Sequence, residues 1–180
     1  MAKHGIVNTT FMACENIDAL NMTGIYATAD LDNGTLVTLT KIAKTDAGDI
    51  TGYQYEVAPA AANSVNVWLV ATPEVGKTLE MQIHDDIREF YNVAGKPMDI
   101  KGIVAGFDCI EVDAMAFVGG TLPTTAQVGQ YCGVGANGKF AAPVASAPAA
   151  GAYFRVEGLH EIECGADVVK TAVLRCMKNA

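Results

Sequence analysis

Positive charge is scarce in this chain. Twelve Lys and Arg stand against twenty Asp and Glu in 180 residues, a formal net charge of −8. The twelve are scattered, so no window offers the clustered cations that bind phosphate backbones by counterion release. Nucleic acid is therefore not an expected partner. No apolar run approaches the roughly 20 residues needed to cross a bilayer, which sets membranes aside. The opening MAKHGIVNTT lacks the long apolar stretch of a signal peptide. Cys14, Cys109, Cys132, Cys164 and Cys176 form no CxxC and no even-numbered set, which excludes a disulfide framework. Reduced thiols in a cytoplasmic setting are the expectation.

What is present is small and apolar. Hydrophobic residues make up 51% of the chain and charged ones only 18%. A chain of this length buries roughly 70% of its unfolded surface and needs neither disulfide nor metal to fold. A composition this apolar suits a protein that covers part of its surface with partners.

Alternating segments dominate. Residues 25–29 and 36–40 flank Asp32-Asn33-Gly34, and Asn-Gly tolerates the two positive φ angles of a type I′ turn, which predicts a β-hairpin. Further strands are expected at 53–57, at 65–70 around the sole Trp68, at 103–105 and at 107–117. In the last, Glu111 and Asp113 share a face that reads as solvated. Asn137-Gly138 signals a second tight turn, 141–152 is an Ala/Pro-rich loop, and 153–157 and 168–176 close the set around a turn at Gly165. One amphipathic helix is expected at about 79–91, with Leu79, Ile83, Ile87, Phe90 and Tyr91 on its stripe. The fold expected is mainly β (α+β), a small antiparallel β-barrel or sandwich with that helix packed on it. Residues 1–23 read as an N-terminal arm or docking segment, and 24–180 as a single β-rich domain.

Chemistry has few candidates. Residues 71–78, ATPEVGKT, fit a relaxed phosphate loop in which Gly76, Lys77 and Thr78 would bind nucleotide and Mg²⁺. The first Gly is missing, Glu74 would sit inside the anion cradle, and Thr72-Pro73-Glu74 also reads as an ordinary helix start. A companion Mg²⁺-side carboxylate would be Asp108, yet one helix does not make the layered parallel sheet such loops need. Gly133 to Gly138 spells GxGxxG, but Pro143 follows too soon for the helix a dinucleotide site requires. His4, His84 and His160 share no ligand spacing. His160 and Cys164 could meet at a metal only on a helix, and HEIEC reads as strand and turn. Asp85-Asp86 reads as a solvated face. Trp68 reads as core, with a carbohydrate-stacking platform as the lesser alternative. No catalytic residue, cofactor or metal is assigned.

Certain stretches carry a resemblance. VWLVATPEV and EFYNVAGKPMDIKGIVAGFDCIEV resemble small head proteins of tailed bacteriophages. LDNGTLVTL and GKFAAPVASAPAAGAYFRVEGL are similar to phage decoration, or cement, proteins. The resemblance implies a structural protein without enzymatic activity, made in the bacterial host cytoplasm and placed on the outer capsid surface of the virion. It implies the major capsid protein as partner and self-association as a trimer or dimer. Acidity agrees, since a protein on the outside of a head has no use for the basic charge that would line DNA.

Overall fold

The computed structural model describes residues 3–44, 48, 50–74, 86–165 and 167–180. Among the described residues, ten strands form two bodies of hydrogen bonding. β2 (Asn21–Ile25), β3 (Leu36–Lys44), β4 (Ile50–Pro59), β5 (Trp68–Val70) and β6 (Pro97–Gly102) close a barrel in the order β2-β4-β3-β5-β6. β1 (Val7–Asn8), β7 (Cys109–Asp113), β8 (Tyr131–Gly133), β9 (Tyr153–Cys164) and β10 (Asp167–Lys178) form a five-stranded sheet ordered β1-β7-β10-β9-β8. The mainly β expectation holds. The barrel is antiparallel except where β2 runs parallel to β4.

Period-two alternation explains how the bodies join. On β5, Val70 and the half-buried Trp68 pack into the barrel interior with Val37, Val57, Met98 and Ile100. Leu69, between them, points the other way, as does Leu36 on β3. Both meet the inner face of the sheet, where Ile110, Val112, Phe154, Val156 and Leu174 are buried. One outer face of the barrel is thus the floor of a second core. Phe140 links that core, with its ring 5.7 Å from Phe117 and 5.0 Å from Phe154. Described N-terminal residues join it: Met12 and Cys14 are buried in this core, Val7 packs against it, and Val7–Asn8 pairs with β7.

Asn137-Gly138 behaves as expected. Both residues have positive φ, 56° and 70°. A Cβ at Gly138 would lie 2.1 Å from the Leu36 carbonyl oxygen, so only glycine lets this turn close against β3. The long β9–β10 hairpin, turning at Gly165, also follows the sequence.

The Asn33-Gly34 hairpin does not form. β2 and β3 never pair with each other. Residues 32–35 make a turn closed by Thr35 N–H on the Asp32 carbonyl, with positive φ at Gly34 but not Asn33, so the turn is not type I′. Asn33 is instead buried as a polar hub. Its side-chain NH₂ donates to the Thr72 carbonyl and to Glu74, and its carbonyl oxygen accepts from Thr72 N–H and Asn92. Three loops are stitched by one amide, which outweighs the local preference for a two-residue hairpin.

The expected helix is not shown. Residues 79–85 lie outside the described residues, and the remainder holds a single 3₁₀ turn, Ile87–Glu89, capped by the Asp86 carboxylate. Phe90 is buried after it, and Asn92 bridges Leu31 as a short strand contact. Other boundaries shift. Residues 103–105 are not strand, since β6 already ends at Gly102. β5 begins only at Trp68 because Asn66 turns the chain at φ 51°. β7 stops at Asp113, whose carboxylate caps the 3₁₀ turn Ala114–Ala116.

Candidate functional site

Strand register gathers the most distinctive polar cluster. Asn8 lies opposite Glu111, and Thr171 lies opposite both Asp113 and His160. Those side chains share the outer face of the sheet. Glu111, 6% exposed, accepts from Thr171 Oγ1 at 2.6 Å, from Asn8 Nδ2 at 3.0 Å and pairs with His160 Nδ1 at 2.7 Å. Burial pushes its pKa up, but the hydrogen bonds from Thr171, His160 and Asn8 win and hold it below the usual carboxylate range. The bond at Nδ1 fixes the imidazole and leaves Nε2 outermost on a largely exposed ring. A charged anchor therefore sits beneath a presented histidine.

Asp113 is 4% exposed, and burial raises its pKa to about 6 despite backbone N–H donors from Met115, Ile6 and Ala116. Glu111 and Asp113 do not form the solvated face that alternation suggested. Glu111 is closed in by the side chains of Thr171, Asn8 and His160, and Asp113 caps the 3₁₀ turn that follows β7. Asp86, likewise, is not a solvated acid. It is buried, held by Arg88 and Lys3, and its pKa is driven well below the ordinary range, chiefly by the Arg88 hydrogen bond. Arg88 continues to Asp167 and so pins the tip of the β9–β10 hairpin.

Two grooves run beside residues 159–163 of β9. One, of about 720 Å³, lies between the 122–125 loop and Leu159, Glu161 and Lys170. The other, of about 570 Å³, lies between Ile6, Thr9 and Ile87 on one side and His160, Glu161, Ile162 and Glu163 on the other. A third groove of about 420 Å³ is flanked by Phe11 and Phe107, which are 69% and 67% exposed.

The remaining sequence candidates fall apart or are occupied. Gly76, Lys77, Thr78, His84 and Asp85 lie outside the described residues. Thr72 does not start a helix; its hydroxyl donates to Asn92 at 2.5 Å and accepts from Asp99 N–H at 3.0 Å. Asp108 is fully buried and accepts from the backbone N–H groups of Ala13 and Val104, each at 2.7 Å. His4 pairs with Asp32 at 2.7 Å, with its ring 4.8 Å from that of Tyr91. Cys164 is buried while His160 is exposed on the same strand. All five cysteines are free thiols. Burial raises Cys14 to about 11 and Cys132 and Cys176 to about 12, and raises Cys109 and Cys164 as well. None is poised as a thiolate at neutral pH. Among the described residues no three His, Cys, Asp or Glu gather around a common point.

Sequence reading missed the Glu111–His160 pair because the partners are 49 positions apart and meet only through β10. The exposed Phe11 and Phe107 carried no local signal either. No protein-family model, no curated protein and no solved structure matches this chain.

Proposed function

We propose that this chain is a structural accessory protein of a phage head, bound to the outer surface of the assembled shell and stabilising it. One observation carries the reading most directly. Phe11 and Phe107 stand exposed on either side of a groove, while Phe117, Phe140 and Phe154 are sequestered in the core. Exposed aromatic side chains beside a groove are the anchors that concentrate binding energy in an interface. They project from turns on a mainly β body.

Charge and chemistry support it. A net charge of −8 suits the outside of a head rather than its DNA-lined interior. Thiols held in the neutral form by burial offer no nucleophile, in keeping with a protein that binds rather than reacts. A protein that binds only the assembled lattice stabilises it by mass action, and many copies add avidity. The partner in this reading is the major capsid protein, with a dimer or trimer as the binding unit.

Electron microscopy of virions purified with and without the protein tests this. The expected result is loss of density from the outer shell surface, together with DNA release at lower temperature. Heads that look and melt the same without it would refute the proposal. Phe11→Ala with Phe107→Ala should weaken head binding by about tenfold or more.

A further inference from the structure

The sheet leaves one stretch of its edge open. β9 is twelve residues long, but β8 pairs only with Tyr153, Phe154 and Arg155. The preceding loop extends that cover to Val156, which bonds Gly129 N–H and the Gln130 carbonyl. From 158 to 163, β10 supplies the only backbone partners among the described residues. Such an edge is a template for another strand.

Guarding charge is the ordinary answer to an open edge, and Glu161 and Glu163 fit that role. Guarding does not explain the two grooves. Leu159, Glu161 and Glu163 share one face of β9, and His160 and Ile162 share the other. The grooves that flank 159–163 are walled by separate elements, the 122–125 loop for one and Ile6, Thr9 and Ile87 for the other. A strand added here would set one series of side chains beside Leu159, Glu161 and Glu163 and the other beside His160 and Ile162.

We propose that residues 158–163 form a strand-addition site for an extended peptide segment in which basic side chains alternate with apolar ones. Main-chain hydrogen bonds supply the docking, and the grooves read the side chains. The basic series faces Glu161 and Glu163, which make no ion pair closer than 4 Å among the described residues, although Lys170 stands opposite Glu161 in the ladder. The apolar series lies beside Ile162, which lines a groove with Ile6 and Ile87 that Glu161 and Glu163 also border. His160, anchored through Nδ1 by Glu111, presents Nε2 at the rim. Charge argues against a second copy as occupant. Antiparallel self-pairing centred on Glu161 or Ile162 sets carboxylate against carboxylate.

The test uses the full chain and two synthetic peptides, an alternating Lys-Val hexamer and an alternating Glu-Val hexamer, with backbone amide exchange as the readout. The Lys-Val peptide should slow exchange within 158–163, and raising salt should weaken its binding. The Glu-Val peptide should leave those amides unchanged. Glu161→Lys combined with Glu163→Lys, both at exposed positions, should weaken the Lys-Val peptide by about tenfold or more and admit the Glu-Val peptide. Indifference of 158–163 to both peptides would overturn the proposal, as would protection confined to the Phe11 and Phe107 groove. Protection that grows with protein concentration alone would name a second copy as the occupant and overturn it equally.

Discussion

The barrel and the sheet are both five-stranded, yet they end differently. The barrel closes on itself, so β2 finds β4 on one side and β6 on the other. The sheet has two edges. One is capped by the two residues of β1, and the other lies open along the outer half of β9. Closure gives every barrel strand a neighbour on each side, although β3 beyond Val37 is paired by β4 alone. The open sheet bears the presented histidine, the paired grooves and the ends of the loops carrying Phe11 and Phe107. In the reading proposed above, recognition belongs to the sheet rather than to the barrel.

The seam between them is the place to break that division most severely. Gly138→Ala would drive a Cβ into the Leu36 carbonyl at a residue with φ of 70°. A loss of about 3 kcal/mol or more is expected in urea unfolding. Asn33→Leu removes the amide that joins the loops at 33, 72 and 92, leaving Thr72 N–H and carbonyl buried without partners. It should cost about 3 kcal/mol by the same measurement.

Asp113 offers a subtler probe, because its pKa is raised from 3.8 to about 6 by burial beside the barrel loop that carries Asp32. The folded state holds its proton more tightly than the unfolded chain does. Its contribution therefore favours folding below about pH 4 and is withdrawn as pH rises toward 6, a change of roughly 3 kcal/mol. Asp113→Asn should flatten stability across pH 4 to 6. Asp86 and Glu111 act oppositely, since their lowered pKa values stabilise the fold near neutrality and fail on stronger acidification. At the open edge, Glu161→Lys with Glu163→Lys should move stability by less than about 0.5 kcal/mol. Destabilisation well beyond that would mean the edge is already part of the packed structure.

Local signals were readable where local chemistry decides. Asn137-Gly138 turns as its sequence demands, the β9–β10 hairpin follows its alternation, and Trp68 packs against the barrel core. Asn33-Gly34 offered the same signal with a different outcome, because a buried amide hub is assembled from residues up to 59 positions away. Glu111 and Asp113 looked solvated because alternation marks two faces without saying what covers each. The parallel β2–β4 pair that closes the barrel has no local pattern at all. Of the candidate site, the histidine was visible and its buried carboxylate partner was not.

Native-state hydrogen exchange on the isolated chain at low concentration tests the contrast between closed barrel and open edge most directly. Amides of β6, which β2 pairs on one side and β5 on the other, should exchange only through global unfolding. Within 158–163 every second amide should exchange fast, since successive residues of an edge strand point alternately at β10 and at water. Uniform slow exchange across 158–163 in the monomer would contradict the account.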